Sequence, residues 1–134
     1  MWGAALRSGD PAPLATIWAG EPLAYFSDEV RAYHARGLRL LSSLVALEFI
    51  RVELLPADRA VAETHEHWAD TLCTLDGDLR GTRAAALRDT YELAWRAGAW
   101  WVVGVDIAVE EGSLDWGSPE DTAAADEACA AAAD

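Results

Sequence analysis

The 134-residue sequence contains no lysine, no asparagine and no glutamine. All ten basic residues are arginine. Because the three missing residue types have AT-rich codons, the simplest explanation is a GC-rich genome, and the preference for arginine carries no functional meaning. The sequence also lacks a run of about 18 apolar residues, so no membrane span is expected. No basic-then-apolar signal opens the chain, and the default prediction is a cytoplasmic location unless an upstream segment has been removed.

Cysteine is scarce, with only Cys73 and Cys129 present. The two residues are far apart in the sequence, and the second lies in the C-terminal tail. We therefore expect free thiols in a reducing compartment and no disulfide scaffold.

Positive charge is also scarce, since 23 acidic residues give a net charge of −13. Eight of these acids follow residue 109, where no base occurs. Such a field disfavours phosphate backbones, so we expect no nucleic-acid partner. The composition divides the chain into an α+β domain over residues 1–111 and an acidic, alanine-rich tail over residues 112–134. Ser118 to Asp121 is typical of a helix start, and the run from Ala123 to Ala133 favours a helix.

Helical patterns come first in the chain. A short helix is predicted over residues 2–8, and Asp10 with Pro11 can start a second. Leu14, Ile17 and Trp18 then form one apolar stripe. A further amphipathic helix is predicted from residue 22 to a stop at residue 37, with its apolar face formed by Leu23, Phe26, Val30 and Tyr33.

Strand patterns follow the helices. Residues 44–55 are apolar on both faces. Residues 59–73 form a second strand pattern, with Ala60, Ala62, Thr64, Glu66 and Trp68 on one face and Val61, Glu63, His65 and His67 on the other. Tyr91, Leu93 and Trp95 alternate with polar residues, which predicts a half-buried strand over residues 89–96. Ala97 and Gly98 then form a two-residue turn. The return arm, residues 99–107, is apolar on both faces, which predicts a central strand.

These residues carry a resemblance to a known family. The matching positions are Gly9-Asp10, Leu14, Ile17, Gly20 and Leu23, then Ala60, Ala62 and Glu66-His67-Trp68, then Tyr91, Leu93, Gly98, Trp100 and Val102. The sequence resembles the nuclear-transport-factor-two-like superfamily, which includes SnoaL-like and ketosteroid-isomerase-like proteins. Within it, the pattern is most similar to the plastid-division-protein-like domain found also in bacterial proteins.

The resemblance implies a cone-shaped α+β fold in which N-terminal helices pack on a curved four-stranded antiparallel sheet. It covers about residues 4–109 and rests mainly on core residues. Because the superfamily contains both isomerases or epoxide hydrolases and non-catalytic binding or dimerising domains, the fold alone does not choose a function. The plastid-division-like branch implies an interaction or ligand-binding domain.

Acidic residues are expected to meet inside the cone. Pairing across the Ala97-Gly98 turn would place Asp89 opposite Asp106 and Tyr91 opposite Gly104. If Glu66 faces the same way, three carboxyls and Tyr91 form a candidate acid–base site, because crowded carboxyls raise one another's pKa. The alternative is that both aspartates lie in water at strand ends and that Glu66 pairs with an arginine.

Aromatic residues offer a second candidate site. A pocket for a flat, apolar ligand could be lined by Trp18, Phe26, Trp68, Tyr91, Trp95 and Trp100. The alternative is that these side chains are core residues, which is routine for large aromatics.

No metal or cofactor is predicted. His65 and His67 share a strand face with Glu63, and two such histidines could bind a metal ion. A zinc site needs a further firm ligand, which the pattern does not supply. Asp76-Gly77-Asp78 begins like a calcium loop, yet Leu87 stands where such a loop requires glutamate. Neither cysteine nor serine has a nucleophile motif around it.

The outer face of the last strand suggests a partner. Trp101, Val103, Val105 and Ile107 alternate along it, and an apolar sheet face must be covered. We therefore expect a homodimer that forms through this face. The preferred function is a non-catalytic domain that binds a small ligand or a protein. Two alternatives are a small isomerase, cyclase or epoxide hydrolase using Glu66, Asp89, Tyr91 and Asp106, and a carrier whose acidic tail docks elsewhere.

Overall fold

The computed structural model describes residues 2–117 and 123–133. Three helices and four long strands follow one another in the order predicted, with one short 3₁₀ helix between the first two helices. Their bounds are α1 Trp2–Ser8, the 3₁₀ helix Ala12–Thr16, α2 Gly20–Ala35, β1 Leu38–Leu55, β2 Arg59–Thr74, β3 Leu79–Arg96, β4 Ala99–Gly112 and α3 Ala123–Ala132. The predicted helix start at residues 118–121 lies outside the described residues. In the part of the chain described, no helix has the length and apolar character needed to cross a bilayer.

The four strands form a single antiparallel sheet in the order β1-β2-β3-β4. Each strand therefore pairs with its neighbour in sequence. The β3–β4 hairpin closes through Ala97 and Gly98, which both have positive φ, 50° and 81°. Positive φ at both turn positions matches the right-handed twist of the strands, as the two-residue turn requires.

The register of the β3–β4 hairpin is correct near the turn and wrong beyond it. Trp95 faces Trp100 as predicted, but a β-bulge interrupts the pairing after Leu93. One extra residue on β4 moves the pairs from Glu92 to Leu87 by one position. Asp89 therefore faces Ile107 and not Asp106.

Strand β4 lies at the edge of the sheet, so the prediction of a central strand was wrong. Its apolar character has another cause. The segment before α2 pairs with it, because Val102 donates to the Ile17 carbonyl and accepts from Ala19, both at 2.9 Å. This short bridge takes the place of a fifth strand at that point.

Two strands begin earlier than predicted. β1 begins at Leu38, six residues before the predicted start, and β3 begins at Leu79. The early part of β3 contains three consecutive alanines with modest strand propensity. Pairing with β2 on one side and β4 on the other holds it in the sheet.

The helices cover only part of one sheet face. The core consists of Ala5, Leu6, Leu14, Val30 and Leu40, with aromatic side chains packed around them. Leu40, near the start of β1, is 1 % exposed, whereas Leu54, near its end, is 76 % exposed. Strand β1 thus runs from beneath the helices into solvent.

The expectation of free thiols was wrong, since Cys73 and Cys129 form a disulfide. The bond joins β2 to α3, which is otherwise rich in alanine. Helix α3 contains no large apolar side chain, so packing alone stabilises its position only weakly. The covalent link fixes it against the end of the sheet, beside Gly77.

Candidate functional site

Three of the four predicted acid–base residues meet on the helix-covered face. Tyr91 donates its hydroxyl proton to Glu66 Oε2 at 2.7 Å, and the same hydroxyl lies 3.1 Å from Asp89 Oδ2. Glu66 and Asp89 are 3 % and 4 % exposed. The alternative of solvated strand-end acids fails for Asp89, which lies in the middle of β3.

Glu66 accepts more hydrogen bonds than Asp89 does. Thr64 Oγ1 donates to it at 2.7 Å and Trp68 Nε1 at 3.0 Å, in addition to Tyr91. Burial raises the pKa of Glu66, but the hydrogen bonds from these residues and from Asp89 outweigh it and leave the pKa below its usual range. Glu66 is therefore the ionised member of the pair. Thr64 was not predicted as part of the site, although the Thr-x-Glu-x-Trp spacing places all three side chains on one strand face.

Asp89 is the protonated member. Burial, followed by the hydrogen bond and the charge of Glu66, raises its pKa to about 7. Tyr91 has a single hydroxyl proton, and its shorter contact assigns that proton to Glu66. Among the described residues no hydrogen-bond partner reaches Asp89 Oδ1. Burial and the two carboxyls likewise raise the pKa of Tyr91, so its hydroxyl stays protonated.

Asp106 does not belong to this cluster, contrary to the prediction. The bulge places it opposite Thr90, on the other face of the sheet from Asp89. Its side chain is exposed. The buried pair therefore consists of two carboxyls with Tyr91 between them, and not of three carboxyls.

An open cleft of about 660 Å³ lies between the start of α2 and the β3–β4 edge. Its lining consists of Glu21, Pro22, Tyr25, Phe26, Thr90, Glu92, Gly104, Val105, Asp106 and Ile107. Three of these are carboxylates and none is basic. Glu66, Asp89 and Tyr91 do not line it, so the buried pair has no direct opening into this cleft. Of its residues only Phe26 and Asp106 were predicted as site residues.

The predicted aromatic pocket is divided among separate places. Trp18 packs edge-on against Phe26 at 4.4 Å within the helical layer, and Trp95 packs against Trp100 at 5.4 Å beside the β3–β4 turn. Trp68 is held by its hydrogen bond to Glu66. The six predicted residues therefore do not form one ligand pocket.

The outer face of the sheet is charged where an apolar dimer face was predicted. Arg51 and Arg88 both contact Glu63, and His65 Nε2 lies 2.8 Å from Glu110 Oε2. The rings of the two predicted histidines, at positions 65 and 67, lie 5.1 Å apart. No group of three metal-ligating side chains occurs among the residues described.

The bulge also divides the predicted dimer stripe. Trp101 faces Ala94 and donates its indole proton to the Arg96 carbonyl, whereas Val105 and Ile107 lie on the opposite face with Tyr91 and Asp89. The prediction that Trp101, Val103, Val105 and Ile107 share one outer face was therefore wrong. It assumed unbroken alternation along β4.

Among the described residues, more than half of the exposed large apolar side chains lie on β1 instead. Eight large apolar side chains in the second part of this strand are exposed: Leu44, Val45, Leu47, Phe49, Ile50, Val52, Leu54 and Leu55. We call these residues the β1 apolar surface. The sequence signal was visible, because this stretch is apolar at both odd and even positions.

Comparisons with known proteins identify the fold. No protein-family model and no curated protein sequence matches the chain. The intermembrane space region of the chloroplast protein ARC6 matches with 18 % identity and a TM-score of 0.70, over 81 % of this chain and 89 % of that one. A putative calcium/calmodulin-dependent protein kinase II association domain from Xanthomonas campestris matches with 19 % identity and a TM-score of 0.47, over 81 % and 79 %. The chain therefore has the α+β fold of the nuclear-transport-factor-two-like superfamily, as its sequence predicts.

Proposed function

We propose that this chain is a non-catalytic protein-interaction domain that self-associates through the β1 apolar surface. The observation that carries the proposal is the rise in exposure along β1, from Leu40 in the core to Leu54 in solvent. Soluble monomers rarely leave a long apolar edge strand uncovered, because such an edge invites pairing with another chain.

The size of the surface supports a second copy as its occupant. The eight exposed side chains lie on both faces of β1. If a partner covers both faces, at roughly 100 Å² for each side chain, about 800 Å² per subunit is buried, the half-share of a standard interface. In a twofold dimer the same patch serves both subunits, so one apolar surface is sufficient.

Sedimentation equilibrium of Phe49→Glu tests this proposal. Phe49 is 63 % exposed, so a glutamate there leaves the core intact but places a charge within the contact surface. We expect a dimer for the wild type and a monomer for the variant. Leu114→Glu is the matched control, since Leu114 is also exposed but lies outside the sheet, and it should remain dimeric.

A monomeric wild type at 100 µM would contradict the proposal. So would a Phe49→Glu variant that dimerises as tightly as Leu114→Glu. A melting temperature close to that of the wild type for both variants excludes unfolding as the cause of dissociation.

A second candidate function is acid–base catalysis by the buried pair. The observation that favours it is Asp89, whose pKa of about 7 suits proton transfer at neutral pH, beside the Tyr91 hydroxyl. It predicts deuterium exchange at the α-carbon of a cyclic ketone in D₂O that Asp89→Asn abolishes. An exchange rate equal to the buffer's for both proteins would eliminate this candidate.

A further inference from the structure

Strand β1 has a free edge along its second part. Among the described residues it pairs with β2 alone. Helix α1 packs beside its start, where Gly3 approaches the Ser42 carbonyl, but no described strand continues the sheet beyond that point. The outward backbone N–H and C=O groups of the later residues are therefore available to a further strand.

Symmetry restricts how two copies of this edge can pair. Two identical antiparallel strands in one sheet are related by a twofold axis perpendicular to the sheet, so one residue must face itself. A charged residue at that position would face a like charge, which excludes Arg51 and Glu53. Within residues 50–54, which contain both charges, the apolar candidates are Ile50, Val52 and Leu54.

Only Val52 also pairs the charges correctly. With Val52 on the axis, Arg51 faces Glu53 of the partner subunit. Both residues lie in the regularly paired part of β1, residues 51–55, because a β-bulge interrupts the pairing with β2 at Ile50. With the axis at Ile50, Arg51 would face an apolar residue of the partner subunit. With the axis at Leu54, Glu53 would face an apolar residue. The sequence Ile50-Arg51-Val52-Glu53-Leu54 is thus complementary to itself when reversed.

The side chains are placed to make these contacts. Arg51 and Glu53 lie on one face of β1, with Arg51 Nη1 2.8 Å from Glu53 Oε2, and each side chain is half exposed. Val52 lies on the other face, opposite Ala62, and is also exposed. A partner strand can therefore reach the charged pair on one face and Val52 on the other.

We propose that two copies pair β1 with β1, antiparallel and centred on Val52, so that one continuous sheet crosses the dimer. The inference rests on the proposed function and gives that self-association a defined register. Two reciprocal ion pairs, each between Arg51 and Glu53 of the partner subunit, fix this register. The edge hydrogen bonds and the apolar pairs beside them supply contact area.

Charge reversal tests the register. Arg51→Glu alone and Glu53→Arg alone each create like-charge pairs across the axis, and each should weaken self-association at least tenfold. In an equimolar mixture, the negative charge introduced at position 51 of one variant faces the positive charge introduced at position 53 of the other. Opposite charges therefore meet across the axis. The mixture should therefore form a heterodimer, measured by native mass spectrometry with one variant labelled with ¹⁵N.

A second exposed ion pair provides the matched control. Arg31 Nη1 lies 3.4 Å from Asp28 Oδ1 on helix α2, and neither residue belongs to strand β1. Arg31→Glu and Asp28→Arg should leave self-association unchanged, and mixing them should give no preference for the heterodimer. Each variant has like charges at positions 51 and 53 of its own chain, and mixing does not change this. If loss of the internal Arg51–Glu53 contact were the cause of weaker self-association, mixing would not restore the dimer.

Cysteine cross-linking gives an independent measurement. In the proposed register Val52 faces its own copy, so Val52→Cys should form an intersubunit disulfide. Leu54→Cys should not, because four residues along the strands separate it from its copy by about 13 Å.

The outcomes separate the register from the proposed function. If Phe49→Glu dissociates the dimer but mixing restores nothing and Val52→Cys does not cross-link, the register is wrong and the function stands. If the wild type is monomeric, both are wrong. Heterodimer recovery together with selective cross-linking at Val52 supports both.

Discussion

Replacing Asp89 by asparagine should stabilise the protein at neutral pH. The folded protein keeps the Asp89 carboxyl neutral up to a pKa of about 7, while the unfolded chain ionises it near 3.8. As the pH rises between these values, the unfolded state loses the proton first, so wild-type stability falls. Asparagine has the same shape, is neutral at every pH and can donate to Glu66.

The expected size follows from the two pKa values. At 1.36 kcal/mol for each pH unit, the shift of the Asp89 pKa from 3.8 to about 7 lowers the unfolding free energy of the wild type by at most about 4 kcal/mol at high pH. The difference in unfolding free energy between Asp89→Asn and the wild type should therefore rise by about 1.4 kcal/mol per pH unit across this window. It should level off above pH 7.

Urea denaturation followed by tryptophan fluorescence, from pH 4.5 to 8, measures this difference. Asp106→Asn is the control, because Asp106 is an exposed carboxylate on the neighbouring strand, and it should change stability by less than about 0.5 kcal/mol. A difference between Asp89→Asn and the wild type that stays constant with pH would refute the raised pKa of Asp89 beside Glu66.

Three further predictions concern stability, and chemical denaturation measures each. Relative to the wild type, Cys129→Ser, which opens a link between residues 56 apart, should cost about 2–4 kcal/mol without reductant and almost nothing with it, because the reductant opens the wild-type bond; a wild type that is equally stable with and without reductant would mean that its thiols are unpaired. Gly112→Ala should cost at least about 1 kcal/mol more than Gly98→Ala, because both have positive φ but only at Gly112 would a Cβ meet backbone; equal costs would contradict this. Leu40→Ala should cost about 2–5 kcal/mol and Leu54→Ala less than about 0.5 kcal/mol in the monomer, and a reversed order would place the core elsewhere.

Local patterns predicted the helices, the β3–β4 turn and the family fold. The alternation of Tyr91, Leu93 and Trp95 is strong because this strand has one buried face, and the adjacent Gly98 marks the turn. The meeting of Glu66, Asp89 and Tyr91 followed from the same alternation. It needed only that β2 and β3 be neighbours.

Features that depend on distant parts of the chain were not predictable. The bulge at Val103 leaves no mark in a stretch of strand that is apolar on both faces, and it moved Asp106 out of the site. The bridge to Ile17 and Ala19 let an edge strand resemble a central one. The Cys73–Cys129 bond depends on where α3 lies, which its alanine composition does not specify.

Hydrogen exchange of the β1 edge tests the interaction surface most directly. Exchange of a peptide spanning residues 47–55 is measured by mass spectrometry over a hundredfold range of protein concentration, with a peptide from the β4 edge, residues 99–107, as the internal reference. We expect slower exchange of the β1 peptide at high concentration and an unchanged reference peptide. Exchange of the β1 peptide that is independent of concentration would contradict the account.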